Sequence, residues 1–293
     1  MRSNYPTTFD AINDWAKVNG FSPTEAQTRF AQYAILCAVG RSADLRQSIV
    51  FKGGNALDFV WSPNRSTRDL DFSLDSVTTT FSPTVENIGE YLVEGLVPTG
   101  EEFGILFHLH RVRQRPPGAD RTFVTFEARV GYALSSELAL RRRMAKGDSS
   151  PNVIPVEISI NESTCASDSF DLGPKQHILR ISTVEDIVAE KLRAILQQPI
   201  RKRTRRQDVL DIAVILSQSI PLDRAKVARF LVRKSAARDV TVSRAAFRDP
   251  EIGIRAQDDY AELEPTTRLI FIPFEEALAM LLAFVDELDI PEN

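Results

Sequence analysis

The stretch VFKGGNALDFVWSPNRSTRDLDFSLD, Val50 to Asp75, decides how this chain reads. A β-branched and aromatic run, Ile49-Val50-Phe51, has the character of a strand and ends in Lys52 and two glycines. A short amphipathic segment follows, Ala56-Leu57-Asp58-Phe59-Val60-Trp61, and then a second strand, Asp69-Leu70-Asp71-Phe72. Residues i and i+2 of a strand point to one side. Asp69 and Asp71 therefore aim two carboxylates at one point, while Leu70 and Phe72 pack the other way. Two carboxylates this close repel unless positive charge stands between them. A divalent cation is the usual remedy, and magnesium brings substrate phosphates with it. Gly53-Gly54 sets backbone N–H groups at a helix start, where phosphate oxygens are favoured.

A glycine turn, a helix and a DxD strand, in that order, form the layout of a metal-dependent nucleotidyltransferase. Singly, each feature is common, and many DxD pairs are solvated strand ends. The segment resembles the AbiEii/AbiGii-type nucleotidyltransferase toxins (MenT-like, of type IV toxin–antitoxin systems). Their first motif reads roughly KGG(T/S)-A-L and then R-x-(S/T)-x-D-L-D-F. Lys52, Gly53, Gly54, Ala56, Leu57, Arg65, Thr67, Asp69, Leu70, Asp71 and Phe72 fall in place. Asn55 departs from the pattern, where a small hydroxyl residue is usual, although its amide can still donate to a phosphate.

Three further sites carry charge in unusual places. In Val156-Glu157-Ile158-Ser159-Ile160, Glu157 and Ser159 share the face opposite the apolar residues. Beside the DxD strand, Glu157 would make a third carboxylate able to activate an acceptor hydroxyl, and otherwise it is an exposed strand residue. Lys191 shares a helix face with Val184, Ile187, Ala194 and Ile195. An ammonium in an apolar stripe is costly unless paired, so it snorkels or reaches a cleft. On that reading Lys191→Met is expected to keep or raise stability. Asp208 and Asp211 share a face of a helix that is apolar nearly all round, and pairing with Lys191 or an arginine is their structural alternative.

Glu190-Lys191-Leu192-Arg193-Ala194 resembles the same family's E-K-L-x-A motif, and Arg206-Gln207-Asp208-Val209-Leu210-Asp211-Ile212 its R-x-D-x-x-D-L motif. The resemblance spans about Val50 to Leu216. It implies a mixed α/β fold, a polymerase-β-like nucleotidyltransferase domain followed by a C-terminal helical domain. It implies NMP transfer from a nucleoside triphosphate, with Asp69 and Asp71 on Mg2+ (or Mn2+) and Lys52 and Lys191 on phosphate charge. Gly53, Gly54, Asn55, Arg65 and Thr67 would line the triphosphate, with Glu157, Asp208 and Asp211 among the catalytic acids. The implied acceptor is RNA, such as a tRNA 3′ end, and the implied partner a separately encoded antitoxin.

Composition bounds the alternatives. The 293 residues suffice for one large domain or two ordinary ones, divided near Cys165 into 1–165 and 166–293. No apolar run approaches a membrane span and the N-terminus lacks a signal-peptide core, so a cytoplasmic protein is expected, and it is expected to be a monomer. Cys37 and Cys165, and His108, His110 and His177, fit no metal or redox spacing. The net charge of −4 argues against a general nucleic-acid binder. Basic runs at Arg141-Arg142-Arg143 and at Arg201-Lys202-Arg203 with Arg205-Arg206 still offer local landing sites, the second being the candidate for an RNA backbone.

Periodicity places helices at Thr8–Val18, Pro23–Val39 and Thr84–Leu96. It places strands at Gly104–Arg113, Thr122–Gly131 and Val153–Ile160, with a turn at Pro116–Asp120 and a connector over Ser135–Ser150. Beyond Thr164 it places helices at Glu185–Gln197, Arg206–Gln218, Leu222–Ser235 and Phe274–Leu288. A non-catalytic nucleotide or partner binder on the same fold is the rival reading, but such a protein is expected to have lost an acid. A transferase acting on a protein or antibiotic hydroxyl is the other alternative.

Overall fold

The computed structural model describes residues 8–65, 67–118, 123–162, 164–173 and 177–293. Ala119-Asp120 of the expected turn and Thr122 of the expected strand lie outside them. By contact the chain forms two compact units, the described residues of Met1–Ala56 with Thr67–Ile181 and of Leu57–Ser66 with Ser182–Asn293.

In the first unit the order is α1 (Ile12–Asn19), α2 (Pro23–Arg41), α3 (Ala43–Ser48), β1 (Ile49–Lys52), α4 (Gly53–Ala56), β2 (Leu70–Leu74) and α5 (Val85–Phe103). Then come β3 (Leu106–Arg115), β4 (Thr125–Ala133), α6 (Leu138–Met144), β5 (Val153–Ser159), β6 (Ser167–Asp171) and β7 (Ile178–Ser182). The strands form one mixed sheet in the order β3-β4-β5-β2-β1-β7-β6. Phe51, Leu70, Phe72, Phe126, Val156 and Ile158 are buried on one face, where α5 packs against α2 and β3. Helix α2 starts where the sequence says, with Pro23 in its first turn and a reciprocal capping box. In that box Glu25 N donates to Ser22 Oγ at 3.3 Å and Ser22 N to Glu25 Oε2 at 2.9 Å. Helix α5 outruns its expected end at Leu96, passes Pro98 and stops at Gly104, whose φ of 68° suits the left-handed cap.

Two expectations change in this unit. The connector over Ser135–Ser150 contains helix α6, whose arginines reach back, as Arg141 does to the carbonyls of Gly104 and Ala133 at 3.0 and 3.3 Å. The chain also forms β6 and β7 after Thr164 before turning helical, and by contact the first unit runs on to Ile181. Short, polar edge strands such as Ser-Asp-Ser-Phe-Asp carry little alternating apolar signal.

The second unit is helical: α7 (Val184–Leu196), α8 (Gln198–Arg201), α9 (Arg206–Ser217), α10 (Arg224–Ala236), α11 (Arg244–Phe247), α12 (Pro250–Gln257) and α13 (Phe274–Asp286). Helix α7 packs against α9 and α10, and α13 against α9. Leu57–Ser66 joins this unit through Asn64. Asn64 Nδ2 donates to Ile270 O at 2.8 Å, and its Oδ1 accepts from the backbone N–H of Leu269 and Ile270. Asp58 Oδ1 accepts from Asn64 N at 2.9 Å and pairs with Arg268.

Candidate active site

The register of the first unit's sheet sets five polar residues in one lateral row. Lys52 lies opposite Asp71, Asp71 opposite Glu157, Glu157 opposite Glu127, and Glu127 opposite Arg113. All stand on the face away from the buried apolar residues, and Asp69, just before β2, lies close enough for its charge to act on both Asp71 and Glu157. Burial, Asp69, Glu157 and Glu162 push the Asp71 carboxyl up to about 7 against the pull of Lys52. Burial and the charges of Asp69 and Glu127 push Glu157 up as well. Lys52 is itself taken by Glu162. The row therefore carries more negative charge than its own lysine neutralises. Gly53, at φ +74°, closes over it, and a Cβ there would run into Asp71 Oδ2. At Gly54 a Cβ would come to 3.0 Å from Thr67 Cγ2, so the glycine pair lies against the DxD approach. Among the described residues no three acidic, histidine or cysteine side chains close into a metal cage. Asp69 and Asp71 fit a cation shared with phosphate oxygens, as magnesium prefers.

Asn55 is fully buried, and its amide is already engaged. Nδ2 donates to Thr67 O at 2.9 Å and to Asp69 O. Oδ1 accepts from Thr67 N at 3.4 Å and from the buried guanidinium of Arg29. Gln32 Nε2 adds bonds to the carbonyls of Thr67 and Arg68 at 2.8 and 3.1 Å. The phosphate contact expected of Asn55 thus gives way to a bracket that holds the backbone leading into the DxD pair. Asn55→Ala is expected to lower unfolding stability by about 1–3 kcal/mol, by stripping partners from buried groups. Transfer activity should fall with it as the 67–69 backbone loosens, and urea melts beside initial rates check both.

In the second unit, Lys191, Asp208, Asp211 and Arg65 form one buried ion-pair cluster. Lys191 Nζ lies 2.8 Å from Asp208 Oδ1 and 2.7 Å from Asp211 Oδ2, and Arg65 Nη2 lies 3.1 Å from Asp211 Oδ2. Burial alone would raise the Asp211 carboxyl, but Lys191 and Arg65 outweigh it and hold the group below the ordinary carboxylate range. Burial would likewise depress the Lys191 ammonium, and the two aspartates instead raise it. Lys191 neither snorkels nor stands alone. The expectation that Lys191→Met keeps or raises stability fails on this geometry, because the ammonium is the shared partner of two acids.

Of the basic run, Arg205 lies 3.8 Å from Asp208, and Arg206 pairs with Asp259 and Glu262 at 3.2 and 3.4 Å, while Arg201, Lys202 and Arg203 are exposed. Sequence reasoning missed Arg29, Gln32, Glu127 and Glu162. A buried arginine and glutamine inside an otherwise apolar helix, Arg29 and Gln32, was the available signal for the first two.

Among solved structures, the chain is similar to JHP933 from Helicobacter pylori, with a TM-score of 0.50 and 15% identity over 90% of this chain and 91% of that one. It is also similar to a "putative nucleotidyltransferase from H. pylori", with a TM-score of 0.49 and 14% identity over 91% of this chain and 95% of that one. At such identities the first likeness is one of fold. No curated protein matches the chain. The family model for the nucleotidyl transferase AbiEii toxin of type IV toxin–antitoxin systems matches residues 35–279, most of the sequence. This chain belongs to the AbiEii nucleotidyltransferase toxin family.

Proposed function

We propose that this nucleotidyltransferase moves NMP from a nucleoside triphosphate onto the terminal hydroxyl of an RNA, a tRNA 3′ end in the first instance. It would work as a cytoplasmic monomer restrained by its antitoxin. The observation that carries the reading is the lateral row Lys52–Asp71–Glu157, with the charge of Asp69 acting on both acids. A magnesium or manganese ion held by Asp69 and Asp71 would supply the positive charge that offsets the triphosphate. Gly53, Gly54 and Thr67 line the approach of the phosphates, and Lys52 adds a cation there. Glu157 accepts the proton of the acceptor hydroxyl as its oxygen bonds to the α-phosphorus. The bond from that phosphorus to the bridging oxygen breaks, and pyrophosphate leaves. The Lys191 ammonium keeps one N–H beyond its two aspartate bonds, which suits the phosphate contact implied by the E-K-L-x-A resemblance.

The test is incubation with each α-labelled nucleoside triphosphate, tRNA and magnesium, followed by mapping of the label. Label on the RNA 3′ end, lost on chelation, is the expected result. Label on a protein, or undiminished labelling in chelator, overturns the RNA or the metal half respectively. Glu157→Gln is expected to slow transfer by about 100-fold while nucleotide affinity holds, as for loss of a general base. Single-turnover rates beside equilibrium nucleotide binding separate the two quantities.

A further inference from the structure

Strand β3 contains a bulge that changes which side chains meet the active-site face. Its register against β4 runs His108 to Gly131 and Leu109 to Val130, then resumes at Arg111 to Arg129, with His110 as the extra residue. A slip of one residue sends every later side chain to the opposite face. Under unbroken alternation from His108, Val112 and Gln114 would share its face, and Arg111, Arg113 and Arg115 would point at α5. With the bulge, Leu109 and Val112 turn towards α5, where they flank Gly89. The three arginines instead stand on the face of Asp71, Glu157 and Glu127.

Arg129 joins them there. Glu127 satisfies two of the four: Arg113 Nε donates to Oε2 at 2.7 Å, and Arg115 Nε lies 2.9 Å from Oε1. Arg111 and Arg129 are exposed and directly opposite each other, and among the described residues neither has an acidic partner. Like charges directly opposite destabilise a strand pair. An anion lying across both would remove that repulsion. Beside them the rings of His108 and His110 meet edge to face at 5.4 Å, and His110 fills the space over Gly131 where a Cβ would not fit. At a strand spacing of about 4.8 Å, β4 stands about 10 Å and β3 about 14 Å from β2, the reach of a few nucleotides.

We infer that this face of β3 and β4 is the track for the phosphate backbone of a single-stranded RNA acceptor running to Asp69 and Asp71. Arg111 and Arg129 grip a phosphate, and the imidazoles of His108 and His110 give a base a surface to stack on. Such contacts position a strand without reading its sequence. The inference rests on the RNA-acceptor reading above.

The test compares wild type with Arg111→Gln/Arg129→Gln and Arg111→Lys/Arg129→Lys, using unfractionated tRNA and an oligouridylate as probes. The glutamine pair should raise the KM for tRNA at least tenfold and leave nucleoside triphosphate affinity unchanged. It should also flatten the salt dependence of oligouridylate binding by about 0.7, the value for one phosphate contact on a single strand. The lysine pair should restore the salt slope, because it keeps the charge. Melting curves for the glutamine pair should match or exceed wild type, since a repulsion is removed. Wild-type transfer to tRNA with an unaltered KM and slope in the glutamine pair overturns the track alone. Wild type that labels protein and not RNA overturns the track together with the acceptor reading.

Discussion

Asp71→Asn should lose at least 1,000-fold in nucleotidyl transfer and yet melt at a higher temperature than wild type in chelator. The two effects have one cause. Asp71 sits partly buried on β2, beside Asp69 and opposite Glu157, with Lys52 drawn off to Glu162. Its carboxyl rises to about 7 because its charge is unwelcome in the fold. A group whose folded pKa is raised contributes most below its unfolded value near 4, and that contribution is lost as pH rises through 7. Asparagine keeps the shape under Gly53 and removes the charge. The gain should be negligible at pH 4 and reach about 2–4 kcal/mol above pH 7, on the order of the whole shift. Magnesium should offset most of that gap. A ligand that binds the folded state at 100 times its Kd stabilises by about 2.7 kcal/mol, and the wild type should show such a rise while the variant does not. Melts with and without magnesium at pH 8 are the measurement. A variant that melts below wild type in chelator, or still responds to magnesium, would remove Asp71 from the cation site.

How much of this was legible in the sequence follows from the range of the interactions. That Asp71 and Glu157 each stand on the polar side of their own strand was legible, because period two is local. That they are in register was not, since strand neighbours eighty-odd residues apart leave no local trace. The start of α2 was legible because Ser22, Pro23 and Glu25 lie within a few positions of the groups they satisfy. The capture of residues 57–66 by the second unit was not, because Asn64 is held by backbone about two hundred residues on. Asn55 read as a phosphate donor because its family position suggested one, whereas Arg29 and the Thr67 and Asp69 carbonyls use its amide. The bulge at His110 defeated simple alternation: the run Phe-His-Leu-His-Arg-Val looks regular, and one unpaired residue reverses the face of everything after it. Lys191 was rightly singled out as costly, but its partners on α9 decide what the cost means.

That decision makes Lys191→Met the second large effect. Methionine fills the stem volume of the lysine, so a purely apolar site would tolerate it. Here it would leave Asp208 and Asp211 on one helix face with Arg65 as the remaining cation on Asp211 and Arg205, at 3.8 Å, as a distant one on Asp208. Removing one member of a buried ion pair typically costs about 3–5 kcal/mol, because the other charge stays behind unpaired. The loss should depend on pH in a defined sense. Asp211 is held below the ordinary carboxylate range in wild type, so its contribution is full at neutral pH and is lost as pH falls through its folded pKa. In the variant that contribution is already missing, so the gap to wild type should be widest near pH 7 and close as pH drops below about 4. Adding Asp208→Asn to Lys191→Met should recover part of the loss, since it removes one stranded charge, whereas Asp208→Asn alone should destabilise. Urea unfolding of the four proteins at pH 7 and well below pH 4 completes the cycle. Equal stability of Lys191→Met and wild type at pH 7 would show that the cluster does not hold α7 to α9, and would return the lysine to a purely functional role.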